Sequence, residues 1–405
     1  MKHISYILFV AVILALSACG GGGGGGGGGS GGSTAQGVIN QRSGKRNVVS
    51  NYAIGDLNGD GLDDVVIGGW TGETNYLTIL IQNTDGTLTD RTIELVGRYE
   101  YPGSMHIFIA DFDHDGYPDI WSPGADDKVG SIPSVMLWGS ANGKFTRQTI
   151  DSGIHSAGAC LADLNQDGNL DLLVMGTYNQ HVNTYGYYLN NGNRTFSTLI
   201  ANRYLNGSSA CAVIRDPATG HFAAFQAGTS QLAGYADTIS IVDSDLKLVK
   251  QIGITRQDTT LAGIVSATAI DANGDGLLDF VINYEAWMPG LPGRKEVWLN
   301  QGNDNFSYSY TLDTAHNAPG NVIAFSYQGD QYCYFDGPNG DAMLYKRVNG
   351  QLVPYKRNEI LNMATLLGGH VGVKDWSIWG GTVYRGNAGL YMLQNINEKY
   401  YTQKL

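Results

Sequence analysis

Four copies of an acidic nonapeptide, all in one register, govern what this chain can become. They are Asp56-Leu-Asn58-Gly-Asp60-Gly61-Leu62-Asp-Asp64, Asp111-Phe-Asp113-His-Asp115-Gly116-Tyr117-Pro-Asp119, Asp163-Leu-Asn165-Gln-Asp167-Gly168-Asn169-Leu-Asp171 and Asp271-Ala-Asn273-Gly-Asp275-Gly276-Leu277-Leu-Asp279. Each carries oxygen side chains at positions 1, 3, 5 and 9 and glycine at position 6. A short loop wraps a hard cation in this way. Side chains at 1, 3 and 5 converge, glycine permits the sharp turn, the carbonyl at 7 points inward, and a carboxylate at 9 closes the shell. The expected ligands are therefore the side chains of positions 1, 3, 5 and 9 with the carbonyls of Leu62, Tyr117, Asn169 and Leu277. About four structural Ca²⁺ ions are expected.

The residues after the loops exclude an EF-hand, which places a bidentate Glu at position 12 and continues into a helix. Position 12 here is Ile67, Ser122, Val174 and Ile282. The runs Val65-Val66-Ile67, Ile120-Trp121, Leu172-Leu173-Val174 and Phe280-Val281-Ile282 are short, apolar and rich in β-branched or aromatic residues, as buried strands are. The residues before each loop are extended in pattern too, so each ion is expected in a strand-loop-strand hairpin.

The first aspartates fall at 56, 111, 163 and 271, and the last gap, 108, is double the others. The missing copy lies at Ala210–Phe225, which keeps two apolar strands and Asp216 but lacks acids at positions 3 and 5. The same period gives a sixth copy at Val322–Tyr327 and Gln331–Phe335. It gives a seventh at Trp376-Ser-Ile-Trp379, a Gly-Gly turn and Thr382-Val-Tyr384. A second hairpin recurs in the repeats, with turns Asp85-Gly86, Asn142-Gly143, Asn191-Gly192, Gln301-Gly302 and Asn349-Gly350, the dipeptides that hairpin turns favour. Two hairpins make four antiparallel strands. The expectation is an all-β chain, a seven-bladed β-propeller of four-stranded antiparallel blades, with six or eight blades as alternatives. Small residues at Ala53, Gly55, Ala110, Ala162, Ala212 and Ala269 suit a first strand beside a narrow axis.

The loops with their strands resemble FG-GAP/VCBS repeats, the calcium-bearing blades of integrin α-subunit propellers and many bacterial surface proteins. The resemblance covers roughly residues 50 to 400. It implies ions held between the first two strands of a blade, and ligand binding mostly on the opposite face. It implies no single function.

Residues 1–18 read as a secretory signal: Met1-Lys2-His3, then an apolar run from Ile4 to Leu16 too short to span a bilayer. Leu16-Ser17-Ala18-Cys19 resembles a bacterial lipobox, in which Cys19 becomes the lipidated first residue. Residues 19–36 form a glycine-rich linker and 37–405 the propeller. A tether of this kind spans about 20 Å. The expected location is the bacterial cell envelope, as an outer-membrane lipoprotein attached to the membrane by its lipid. Cys160 and Cys211 lie in first strands of neighbouring repeats and Cys333 in a later one. Export permits pairing, whereas the odd count and apolar neighbours favour buried thiols.

The formal charge is −12, and 37 acidic residues face 25 basic ones. Many of the acids sit in the loops, so the acidity is a metal-site property, and nucleic acid, which needs a basic face, is excluded as a partner. A monomer is expected. Trp70, Tyr178 and Trp287 fall after second strands, on the face opposite the ions, where aromatics stack on sugars or anchor a protein. They are the candidate ligand-binding residues; capping of blade edges is the plainer role. His106, His155, His316 and His370 precede first strands near that face, where loop hydrogen bonding is their default. There is no Gly-x-Ser-x-Gly, His-Glu-x-x-His or phosphate-loop motif, and no catalytic residue is assigned. The favoured function is a calcium-stabilised binding or adhesion platform for a glycan or protein partner. The rival is a polysaccharide lyase on the same scaffold, for which Arg98, Tyr101, Arg203 and Tyr204 are the visible candidates.

Overall fold

The computed structural model describes residues 49–70, 77–97, 106–124, 133–151, 156–176, 186–202, 204, 211–226, 237–254, 265–284, 294–312, 322–335, 343–357, 381–396 and 399–405. Apart from the short helix α1 (Thr92–Val96), they form antiparallel sheets whose strands pair in chain order. The first blade is β1 (Val49–Gly55), β2 (Asp64–Trp70), β3 (Thr78–Gln82) and β4 (Leu88–Asp90). The second is β5 (Phe108–Ala110), β6 (Asp119–Ser122), β7 (Val135–Trp138) and β8 (Thr146–Thr149). The third is β9 (Ser156–Ala162), β10 (Asp171–Gly176), β11 (Gly186–Tyr188) and β12 (Ile200–Ala201). The fourth is β13 (Cys211–Arg215), β14 (Phe222–Gln226), β15 (Asp237–Val242) and β16 (Leu248–Ile254). The fifth is β17 (Val265–Ile270), β18 (Asp279–Tyr284), β19 (Arg294–Asn300) and β20 (Phe306–Thr311). The sixth is β21 (Val322–Tyr327), β22 (Asp330–Phe335), β23 (Met343–Val348) and β24 (Gln351–Arg357). A last sheet holds β25 (Gly381–Gly386), β26 (Gly389–Ile396) and β27 (Lys399–Lys404).

The second strands are apolar at every position because both faces of a blade are covered. Val65 and Val66 point to opposite sides of the first sheet, and each is fully buried. Each apolar cluster lies between two sheets. Ile79 packs with Ile120, Trp121 with Leu172, Leu173 with Val213, and Phe225 with Phe280. Val281 packs with Tyr345, Tyr334 with Met392, and Tyr384 with Leu80, which returns the chain to its first sheet. This circular stacking of four-stranded blades is a β-propeller. Burying one such side chain contributes about 2 kcal/mol, and none of these interfaces exists within a single sheet.

The innermost strands β1, β5, β9, β13, β17, β21 and β25 all line a central cavity of ≈ 240 Å³. Small residues keep this ring narrow: a Cβ on Gly55 would lie 3.0 Å from Ile109 Cγ2. His106 also lines the cavity. The expected hairpin glycines adopt left-handed backbone, with φ 86° at Gly86 and 72° at Gly143.

Two expectations are corrected. The described residues form six four-stranded blades, not the seven expected, and the last sheet has three strands among them. Thr382-Val383-Tyr384, expected as a second strand, lies in β25, which pairs with β26 and faces the cavity as an innermost strand. Trp376–Trp379 lies outside the described residues. The expected register is off by one strand because Gly380-Gly381 resembles a hairpin turn, whereas the chain turns at Gly386–Gly389. Secondly, Cys160 and Cys211, expected as thiols, form a disulfide with Cα atoms 5.6 Å apart, because β9 and β13 are adjacent around the ring. Cys333 is free and buried, as expected. No helix among the described residues is long and apolar enough to cross a membrane.

Candidate metal sites

Each acidic nonapeptide joins the first strand of a blade to the second, so topology puts all four loops at the same end of the ring. The second strands β2, β6, β10 and β18 begin on the position-9 aspartates Asp64, Asp119, Asp171 and Asp279. Glycine at position 6 is obligatory in backbone terms, with φ 83° at Gly61 and 88° at Gly116. Position 4 is left-handed as well, and His114 and Gln166 occupy it at φ 60°.

The loops share one hydrogen-bond scheme. The position-1 carboxylate accepts from the position-6 amide: Gly61 N to Asp56 at 2.8 Å, Gly116 N to Asp111 at 3.0 Å, Gly168 N to Asp163 at 3.0 Å, and Gly276 N to Asp271 at 3.3 Å. Position 3 accepts from the amide of position 5, as in Asp60 N to Asn58 Oδ1 at 2.9 Å and Asp115 N to Asp113 Oδ1 at 3.1 Å. Position 5 accepts from the amide of position 7, as in Leu62 N to Asp60 at 2.8 Å and Tyr117 N to Asp115 at 2.9 Å. These bonds turn the side chains of positions 1, 3 and 5 inward. Carboxylate oxygens of Asp111, Asp113 and Asp115 lie within 4.8 Å of one another. The donor set is all oxygen, anionic and partly exposed, which suits a hard divalent cation such as Ca²⁺ and not a soft metal.

Position 9 has a second task that the sequence does not reveal. Asp64 Oδ2 accepts from Leu57 N at 2.8 Å and its Oδ1 from Gln82 N at 2.8 Å. Asp119, Asp171 and Asp279 repeat this, bonding position 2 of their own loop and Gly139, Asn190 or Asn300 at the end of the third strand. All four are fully buried. Burial pushes Asp64, Asp119 and Asp279 up to about 7 and Asp171 up to about 6, against the opposing pull of those amides. Each position-9 carboxylate thus ties its loop to the third strand, and in the second loop Asp119 is not among the carboxylates that cluster within 4.8 Å, which are Asp111, Asp113 and Asp115.

Three arginines and a turn complete the rim, and no sequence pattern marks them. Arg194, beyond β11, bonds Asp113 and Asp115 of the preceding blade. Arg347 of β23 donates to the Asp271 carbonyl at 2.8 Å and pairs with its carboxylate at 2.9 Å. Arg385 of β25 clasps Asp63. In the fourth blade, which lacks the acids, Asp216 accepts from Ala218 N and from Asp304 N of the next blade, each at 2.8 Å. The only sequence hint is the amide that ends the third strand in three blades. Gln82 Nε2 bonds the Asp63 carbonyl at 2.7 Å and Asn190 Nδ2 the Leu170 carbonyl at 3.2 Å.

Of the candidate ligand-binding residues, Trp70 ends β2, at the end of the strand away from the acidic loop. Tyr178 and Trp287 lie outside the described residues, as do His155, His316, His370, Arg98, Tyr101 and Arg203. Tyr204 is half-buried against the core between the third and fourth blades, and its amide bonds Asn202 at 2.9 Å.

Residues 56–122, which span the first acidic loop and the second, match the model of the FG-GAP-like repeat family. The chain carries an FG-GAP-like repeat there, on a propeller. Two solved structures are similar. The exotype rhamnogalacturonan lyase YesX is 14% identical with a TM-score of 0.43, over 91% of this chain and 75% of that one. The Dos1 propeller is 9% identical with a TM-score of 0.44, over 84% and 75%. No curated protein matches the chain.

Proposed function

We propose that this chain is a calcium-stabilised, seven-bladed propeller, held at a bacterial outer membrane through lipidated Cys19, that serves as a binding platform for a glycan or protein. The observation that carries the reading is the shared cage of the four loops, in which oxygen side chains at positions 1, 3 and 5 are turned inward by the same amide bonds. Four ions would be held by Asp56, Asn58, Asp60 and Asp64 and by their equivalents in the other three loops. Their chemistry there is charge neutralisation: removing the ion leaves carboxylates crowded together and loosens the hairpin. In this reading the three-stranded sheet of β25, β26 and β27, which packs on both the sixth blade and the first, counts as the seventh.

A rim stiffened by ions leaves the opposite end free for recognition, and Trp70, Tyr178 and Trp287 are the residues assigned to it. The test uses the mature protein against a panel of glycans and envelope proteins, with and without Ca²⁺. Retention that is lost on Trp70→Ala or Trp287→Ala supports the platform. New unsaturated chain ends in a glycan identify a polysaccharide lyase instead. A melting curve unchanged by excess chelator removes calcium from the reading.

A further inference from the structure

Three of the four loops carry asparagine at position 3, and in each its Nδ2 donates to Oδ2 of the position-5 aspartate. The distances are 3.0 Å for Asn58 to Asp60, 3.0 Å for Asn165 to Asp167 and 2.8 Å for Asn273 to Asp275. The loop at 111–119 has Asp113 in that place, and an ionised carboxylate has no proton to donate. The donor comes instead from the third blade. Arg194 Nη2 donates at 2.8 Å to Asp115 Oδ2, the same oxygen, while its Nε donates to Asp113 Oδ2. Its guanidinium carbon sits 5.4 Å from the centre of the Trp138 ring, on β7 of the loop's own blade. Arg194 is itself left-handed, at φ 64°, in the turn that aims it across the interface.

We propose that Arg194 is a built-in counter-cation for this one loop. It competes with a bound divalent ion for Asp113 and Asp115, and it fastens the third blade to the second when calcium is scarce. The proposal rests on the reading of the loops as calcium sites.

Charge alone predicts the reverse order of affinities. The loop has one carboxylate more among positions 1, 3 and 5 than its three siblings, which would make it the tightest site. A guanidinium on two of the ligating carboxylates cancels that excess and opposes an incoming divalent charge. Arg347 does not play the same part. It touches position 1 alone, at Asp271, and leaves the Asn273–Asp275 bond in place.

The test compares the wild type, Arg194→Gln, Asp113→Asn and the double variant, each as the full mature chain. Calcium binding is followed by calorimetry and melting is followed in excess chelator. Arg194→Gln is expected to tighten one site about tenfold and to lower the chelator Tm by about 2 °C. With Asp113→Asn already present, position 3 has its own amide, and both effects of Arg194→Gln should shrink to less than half. An Arg194→Gln variant that binds calcium no more tightly overturns the competition, and one that melts unchanged in chelator overturns the fastening. Effects undiminished by Asp113→Asn overturn the assignment to this loop. A wild type that binds no calcium defeats the proposed function and the competition together. The chelator melts then still decide whether Arg194 fastens the two blades.

Discussion

Arg385 donates through Nε and Nη2 to both carboxylate oxygens of Asp63, at 2.6 to 3.0 Å, although 322 residues separate the two in sequence. The Arg385 amide also reaches Asp63 Oδ2 at 2.8 Å, and the Asp63 amide reaches the Arg385 carbonyl at 3.2 Å. Asp63 is buried in this contact. The last sheet is thereby locked to the first at the rim that carries the acidic loops. Asp63→Ala should cost about 2 kcal/mol in denaturant unfolding, because it leaves a partly buried guanidinium and an amide without acceptors. Arg385→Ala should cost less, and the double variant should fall short of the sum by about 1 kcal/mol. Strict additivity would mean that the pair does not close the ring.

The buried position-9 aspartates predict an unusual pH response. Their carboxyls sit up to about 7 (about 6 for Asp171) in the folded chain, chiefly through burial. In the unfolded chain an Asp titrates at about 4. The folded state therefore binds more protons between those values, so without metal this contribution to stability is present below pH 4 and is lost as pH rises toward 7. A divalent ion favours the ionised form and reverses the trend. In excess chelator, Tm should fall from pH 5 to pH 8, and the rise in Tm on adding Ca²⁺ should grow over the same range. A calcium increment that is flat with pH would contradict this.

The blades and the loops were legible because both depend on local spacing. Position 6 needs glycine, the following strand needs an apolar run, and both stand within a dozen residues. The position-9 aspartates were legible only in part. Their place at the end of the loop makes them the expected closure of an ion shell, whereas their bonds to Gln82, Gly139, Asn190 and Asn300 depend on how the third strand returns, some 20 residues on. Arg194, Arg347 and Arg385 were invisible, since each acts on a neighbouring blade and no local pattern marks it. The slip at β25 has the same origin: Gly380-Gly381 and Gly386–Gly389 are equally good turns locally, and packing against β1 decides between them. The disulfide likewise depends on adjacency around the ring, which an odd cysteine count obscures.

The fourth blade, which lacks the acids of positions 3 and 5, is tied to its neighbour instead. Asp304, from the outer turn of the fifth blade, accepts from Thr219 Oγ1 at 2.7 Å and lies 2.7 Å from His221 Nδ1, while its amide bonds Asp216. Asp304→Ala should destabilise the protein by about 2 kcal/mol through the loss of two acceptor bonds in a half-buried site. The increment in Tm from Ca²⁺ should stay as in the wild type, whereas Asp275→Ala should reduce it. Parallel melts with Ca²⁺ and with chelator check both halves. A calcium increment altered by Asp304→Ala would mean that this turn is coupled to the acidic loops.

Cys160 and Cys211 link β9 to β13 over a sequence separation of 51. A bridge of that span restricts the unfolded chain and contributes about 4 kcal/mol. The double variant Cys160→Ser/Cys211→Ser should lose about that much stability in denaturant. Cys333 behaves differently. It is fully buried between the fifth and sixth blades, and burial alone pushes its thiol well above the ordinary range, so thiolate is scarce at neutral pH. Among the three cysteines of residues 37–405, an alkylating reagent should therefore modify none in the native protein and only Cys333 after unfolding without reductant. Mass spectrometry counts the adducts. Labelling of Cys160 or Cys211 in the unfolded, unreduced chain would show that the bridge does not form.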